Sequence, residues 1–188
     1  MDDSNTEIEL KFLLPNAESV IEKLNLLATF EGEEHQIDRY YTPVHRDFLA
    51  EKPVSEWLRI RESEGKCFLT YKNFHKKEMG PKAIHCDEYE TEIGNAEQLK
   101  LVFSAIDITE MVVVDKLRKI FTYKKAEISV DYVEELGYFL EIEAMKGFAS
   151  IDEAREYLHD LLQELEIDVG EQDFEGYPYL LLRKRGLV

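Results

Sequence analysis

Glu7, Glu9 and Lys11, Arg59 and Arg61, Glu88, Glu90 and Glu92, Lys116 and Arg118, and Glu141 and Glu143 share one spacing: each member is two residues from the next. In an extended strand that spacing places a set on a single face. Apolar residues fill the positions between, as in Ile8, Leu10 and Phe12, Leu58 and Ile60, and Leu140, Ile142 and Ala144. Phe68, Thr70 and Lys72 likewise oppose Cys67, Leu69 and Tyr71, while Glu127, Ser129 and Asp131 oppose Ile128, Val130 and Tyr132. Glutamates at i, i+2 can share a divalent cation, guanidinium forks fit phosphate oxygens, and lysine supplies a compact charge. Together these groups have the chemistry to grip a chain of phosphates and its metals.

One such strand, taken alone, equally describes a sheet with one face in water. Two features of the whole chain favour an inward face. The sets carry one sign per strand, acidic on the first, fifth and last and basic on the third and sixth, and like charges so close repel unless opposite charge sits between them. Three amphipathic helices also need an apolar sheet surface to cover, which turns the charged faces toward one another.

Those helices start at Asn16 (Val20, Ile21, Leu24, Leu27, Ala28), at Asn95 (Leu99, Val102, Phe103, Ile106) and at Ser150, where Glu153 completes a capping box ahead of Ala154, Tyr157, Leu158, Leu161, Leu162 and Leu165. A short fourth helix is expected over Tyr179 to Lys184, after Pro178. Period-two alternation predicts strands over roughly 5–13, 34–43, 56–62, 66–73, 86–93, 111–123, 126–133 and 137–146, with Gly65 and Gly137 at hairpin turns and Gly80-Pro81 in a loop. No linker or biased tract divides the 188 residues, so residues 1–188 form one domain. The fold expected is α+β: a closed eight-stranded antiparallel β-barrel with a charged interior, helices packed outside, and the apolar core between wall and helices. A charged lumen of this kind is stable when wet and paired, or when filled by ions and ligand.

Composition narrows the partners. A net charge of −17 argues against general nucleic-acid binding. Cys67 and Cys86 lack metal or disulfide spacing, and the five histidines are scattered. The N-terminal stretch is acidic and no apolar run is long enough for a membrane span, so a cytoplasmic protein without membrane attachment is expected. A homodimer is left open.

With the strands placed, the motifs resemble a known family. Glu7-Ile8-Glu9-Leu10-Lys11 resembles the E-x-E-x-K signature of the CYTH domain, the triphosphate tunnel metalloenzymes, which include class IV adenylyl cyclases, thiamine triphosphatases, inorganic triphosphatases and fungal-type RNA triphosphatases. Gln36-Ile37-Asp38-Arg39-Tyr40-Tyr41 is similar to its Q-x-D-x-Y motif, Leu58-Arg59-Ile60-Arg61 to L-R-x-R, Leu69-Thr70-Tyr71-Lys72 to T-x-K, and Glu88 to Ile93 to the E-x-E strand. Lys116-Leu117-Arg118 resembles the K-x-R pair, and Asp131 with Leu136-Gly137-Tyr138-Phe139-Leu140-Glu141-Ile142-Glu143 resembles the closing strands. Every motif stands in order.

The resemblance implies that Glu7, Glu9, Asp131, Glu141 and Glu143 hold Mg²⁺ or Mn²⁺, and that Lys11, Arg59, Arg61, Lys72, Lys116 and Arg118 bind the triphosphate. Glu90, with Glu92 beside it, would orient those bases or assist a second metal, so Lys11, Glu90, Lys116 and Arg118 are the expected catalytic set. Tyr40-Tyr41 and Tyr177-Pro178-Tyr179-Leu180-Leu181 look most like the class IV adenylyl cyclase branch, which implies conversion of ATP to cyclic AMP and pyrophosphate. Hydrolysis of inorganic triphosphate or of an organic one such as thiamine triphosphate is the alternative, followed by a non-catalytic binder of nucleotides or polyphosphate. The chain departs from many cyclase members after Lys72, where a longer passage carries Lys76, Lys77 and Lys82, read as solvated loop lysines. Trp57 is read as barrel packing, Cys67 as a small residue on the outer apolar face, and His75 and His85 as structural or loop residues.

Overall fold

The computed structural model describes residues 6–74 and 84–188. In chain order the elements are β1 (Thr6–Leu13), α1 (Ala17–Leu27), β2 (Thr29–Pro43), β3 (Glu56–Ser63), β4 (Lys66–Phe74), β5 (Ile84–Glu92), α2 (Ala96–Ala105), β6 (Ile108–Tyr123), β7 (Ala126–Val133), β8 (Gly137–Ala144), α3 (Ile151–Leu165) and α4 (Tyr177–Lys184). The eight strands close into an antiparallel barrel in the order β1-β5-β4-β3-β2-β6-β7-β8. Lys76, Lys77, Lys82, His75 and the Gly80-Pro81 turn lie outside the described residues, as does the His85 side chain.

Local chemistry sets the boundaries. Asn16, Asn95 and Ser150 each accept a hydrogen bond at the start of α1, α2 and α3, from the backbone N–H of Ser19, Gln98 and Glu153. Glu64 (φ 48°) and Gly65 (φ 75°) turn β3 into β4 in two residues with positive φ, a conformation that glycine adopts without strain. β2 and β6 run further than their alternation predicts, to Thr29 and Ile108, because register shifts between Phe30 and Gly32 and between Tyr40 and Tyr41 hide the period-two pattern there. The fourth helix begins at Tyr177, two residues before the expected start, and takes Pro178 into its first turn, where a missing N–H costs nothing.

Alternation divides each strand between two environments. On the outer wall Leu10, Phe12, Phe121, Ile128, Leu140 and Ile142 pack under α1 and α3 through Val20, Leu24, Leu158, Leu161 and Leu165. Tyr41, Ile60, Leu58, Cys67 and Leu69 pack under α2 against Ala96, Leu99 and Phe103. The lumen departs from expectation in one respect, since it is not charged throughout. Tyr40, Trp57, Val112, Val114, Val133 and Phe139 share the inward parity of the charged rows, and α4 caps them with Tyr177, Leu181 and Leu182. Three helices therefore cover the wall, while α4 closes an apolar end of the barrel. Trp57, 5% exposed and edge-on to Tyr40, belongs to this plug.

Candidate functional site

The inward charges of the remaining barrel form two chains of alternating sign. In the first, Glu7 meets Lys72, Lys72 meets Glu88 at 3.0 Å, Glu88 meets Arg59 at 3.4 Å, and Arg59 meets Asp38 at 3.5 Å, with Asp38 also clasping Arg61. In the second, Glu9 meets Lys11 at 3.1 Å, Lys11 meets Glu141 at 3.2 Å, Glu141 meets Arg118 at 3.0 Å, and Arg118 meets Asp131, which also faces Lys116 at 3.4 Å. Each chain starts at a glutamate of β1 and ends in a buried aspartate between two bases.

Strand register explains the ends. Asp38 lies directly opposite Arg61 across β2 and β3, and Asp131 directly opposite Arg118 across β7 and β6. Each aspartate accepts a two-bond fork, from Nε and Nη2 of its arginine, with all four distances 2.7 Å. Burial raises both carboxyls, and Arg61 with Arg59, or Arg118 with Lys116, overcomes it and holds them below their ordinary values. Asp38 was visible in the sequence only as part of a motif. The signal that could have placed it is its shared face with Gln36 and Tyr40, opposite a basic pair.

All six basic residues expected to meet the triphosphate line one cavity of about 330 Å³, together with Glu7, Glu9, Glu90, Glu141 and Glu143. Asp131, expected beside those metal ligands, is fully buried at the wall, with both oxygens engaged by Arg118 and Oδ2 also accepting from Tyr177 at 2.8 Å. Glu90 accepts from Thr70 Oγ1 at 2.8 Å and stands 3.7 Å from Arg59, whereas Glu92 is exposed and off the cavity wall. Glu88 and Glu127 line the cavity too, and Val54, Trp57, Phe74, Phe174 and Pro178 make its apolar margin.

The lining carries ten carboxylates against six basic side chains, an excess of four negative charges. The excess concentrates at β8. Glu143 stands directly opposite Glu9 on β1 and Glu127 on β7, making a row of three carboxylates across adjacent strands. Among the described residues Glu143 has no ion-pair or hydrogen-bond partner, and burial with Glu7, Glu141 and Glu9 pushes it up to about 8. Burial also raises Glu7 and Glu9, against the pull of Lys72 and Lys11. Unbalanced, hard oxygen donors of this kind fit Mg²⁺ or Mn²⁺. Among the described residues no three ligating side chains are already gathered as a cage, because Glu7 and Glu9 are turned to lysines.

On β6, beside β7, burial and the neighbouring Arg118 lower Lys116 to about 7, although Asp131 opposes the shift. Arg118 and Lys11 are raised well above their ordinary values, because their carboxylates outweigh burial. The arrangement can thus neutralise a polyanion with bases held in place before it arrives.

Comparison with known proteins places the chain among relatives of the same fold. A protein of Methanocaldococcus jannaschii that carries the provisional name adenylate cyclase is 31% identical over 183 residues, 94% of this chain and 98% of its own. A Pyrococcus horikoshii protein of solved structure superposes with a TM-score of 0.81 at 32% identity, covering 95% of this chain and 99% of that one. The same fold, at a TM-score of 0.64 and 17% identity over 97% and 96% of the two chains, occurs in a provisionally named adenylyl cyclase of Hippeastrum with a dominant triphosphatase activity. The sequence profile of the CYTH domain matches residues 5–177, and the chain belongs to the CYTH family.

Proposed function

We propose that the protein is a divalent-metal-dependent enzyme acting on an organic triphosphate, in the manner of a class IV adenylyl cyclase that converts ATP to cyclic AMP and pyrophosphate. The observation that carries the reading is the convergence of Lys11, Arg59, Arg61, Lys72, Lys116 and Arg118 on a single cavity whose excess charge is carboxylate. Glu7, Glu9, Glu141 and Glu143 are the residues that would hold Mg²⁺ or Mn²⁺. Asp131 is reassigned on its bonding: it serves Arg118 and Lys116 rather than a metal. A cation held by those glutamates would withdraw charge from the phosphate oxygens and so ease attack at phosphorus.

The chain's own residues supply the rest. Arg59 and Arg61, held by Asp38, and Arg118, held by Asp131, present guanidinium groups that need no reorganisation when charge develops. Lys11, Lys72 and Lys116 follow the charge as it moves to the leaving pyrophosphate, and Glu90 keeps Arg59 and Thr70 in place. In the cyclase reaction the 3′-oxygen of the ribose forms a bond to the α-phosphorus, the bond from that phosphorus to the β-bridging oxygen breaks, and the hydroxyl proton is released. The apolar margin at Val54, Trp57, Phe74 and Pro178 suits the group that bears the triphosphate, and favours an organic triphosphate over the inorganic one. A second reading, hydrolysis by water at the terminal phosphate, uses the same grip, and the activity of the Hippeastrum protein keeps it in view.

Incubation with ATP and Mn²⁺, then with inorganic triphosphate and Mn²⁺, separates the two. Cyclic AMP with pyrophosphate supports cyclisation, and orthophosphate release supports hydrolysis. Absence of turnover with both metals and both substrates overturns the enzyme reading.

A further inference from the structure

Tyr177 is the first residue of α4 and reaches from the plug into the charged lumen. It is 4% exposed. Its hydroxyl donates to Asp131 Oδ2 at 2.8 Å, and its ring lies 4.8 Å from the Lys11 ammonium and 5.3 Å from that of Lys116. The ring is packed edge-on against Phe139 with centroids 4.9 Å apart.

The position is built from the backbone. Asp173 N–H donates to the Lys11 carbonyl, and Leu13 and Glu171 are likewise hydrogen-bonded, so residues 170–173 run along β1 past Lys11. Asp173 Oδ1 accepts from the N–H groups of Glu175 and Gly176, and Gly176 turns the chain into α4 with φ 82°, in the left-handed region that favours glycine. The tyrosine is therefore registered against the strand that carries Lys11.

Its chemistry follows from lone-pair counting. Arg118 Nη2 at 2.7 Å and Tyr177 Oη at 2.8 Å take the two favourable directions at Oδ2, and Lys116 is left with a long contact of 3.4 Å. Asp38, the counterpart at the end of the other chain, accepts from no hydroxyl among the described residues. Its third donor, Arg59, stands at 3.5 Å because Glu88 and Glu90 also draw it, whereas Asp131 is the carboxylate that faces Lys116. Without the hydroxyl, Lys116 would close on Oδ2 and turn from the cavity. The ring meanwhile favours two ammonium groups without neutralising them, as a carboxylate would.

We propose that Tyr177 is a positioning residue for the triphosphate. Its hydroxyl fills the second acceptor site of Asp131 Oδ2 beside Arg118, so that Lys116 is kept from that oxygen and stays free for phosphate, and its ring holds the ammonium groups of Lys11 and Lys116 toward the ligand. The inference rests on the triphosphate-binding reading.

Calorimetric titration of the full chain with inorganic triphosphate and with Mn²⁺ alone tests it. Tyr177→Phe, which keeps the ring, is expected to weaken triphosphate about tenfold, the scale of one hydrogen bond to a charged group. Tyr177→Leu, which loses the ring as well, should weaken it about fivefold further. Mn²⁺ affinity should stay within about twofold of the wild type for both. Leu181→Ala, which loosens the plug without touching a charge, is the control, with melting temperature followed for all three. Wild-type triphosphate affinity in Tyr177→Phe, or a loss in Tyr177→Leu no greater than in Leu181→Ala, overturns the assignment while leaving the tunnel reading intact. If the wild-type protein itself binds no triphosphate, the tunnel reading falls, and this assignment with it.

Discussion

Glu9 and Glu143 face one another directly across β1 and β8, two carboxylates in register with Glu127 beyond them. Opposed like charges are destabilising in a sheet, and more so where burial limits screening. Above about pH 8, where Glu143 is ionised, a divalent cation that binds the folded chain should relieve that repulsion. At a hundredfold excess over Kd, Mn²⁺ should add about 2.7 kcal/mol and raise the melting temperature by roughly 5 to 10 °C. Glu143→Gln should lose most of the shift. A metal-induced shift that is equal in the variant would remove Glu143 from the ligand set.

Stability of the metal-free protein should depend on pH through the same residue. Glu143 has its folded value raised from 4.5 to about 8, so the folded chain binds the proton more tightly than the unfolded chain. That contribution is complete below about 4.5 and is lost as pH rises through about 8. Denaturant titrations at steps across this window should show falling stability in the wild type and a flatter profile in Glu143→Gln. Identical slopes would contradict the assignment.

Lys116 predicts proton uptake. It is lowered to about 7 by burial and Arg118, and a triphosphate beside it would restore its charge. Calorimetry of triphosphate binding at pH 8, repeated in buffers of different ionisation enthalpy, should report a net gain of protons by the complex. Lys116→Met should abolish most of that gain. Uptake unchanged in the variant would assign the proton elsewhere.

The two buried aspartates separate a paired lumen from a solvated face. Removing Asp38 leaves Arg61 without its carboxylate and Arg59 with Glu88 and Glu90, and removing Asp131 leaves Lys116 without one and Arg118 with Glu141. Each change to Ala should therefore cost about 3 kcal/mol of folding stability, the lower end for a broken buried pair. On a water-facing sheet the same substitutions would be nearly silent. Urea unfolding of Asp38→Ala and Asp131→Ala measures the difference, and a cost below about 1 kcal/mol for both would argue against the chains of alternating charge.

Much of this site could be read from the sequence because a strand encodes its inside and outside in alternate residues. Once on one strand, Arg59 and Arg61 had to share a face, and the apolar stripes under α1, α2 and α3 decided which face turned inward. Pairing was less accessible. Nothing in the spacing of Asp38 says that it sits opposite Arg61, since β2 and β3 are joined by the long connection 44–55 and not by a tight turn that would fix their register from sequence. Asp131 was given a metal by its motif, and its hydroxyl partner Tyr177 is 46 residues away. The plug was hidden for another reason: Val112 and Val114 share the parity of Lys116 and Arg118, but nothing in their spacing says that α4 covers them inside the barrel. Lys76, Lys77 and Lys82, read from the sequence as solvated loop lysines, fall outside the described residues.

The outer wall and the lumen are encoded by interleaved residues of the same strands, with most of the apolar burial outside and most of the chemistry inside. Such a protein can change its substrate without redesigning its scaffold. Inward positions such as Val54 or Phe74 can be exchanged while Leu10, Phe121 and Ile142 keep the helices seated. The constraint is that a charge is replaced together with its partner. A library that varies Asp38 with Arg61, or Asp131 with Arg118, as matched pairs should therefore retain far more folded members than one that varies the four positions independently.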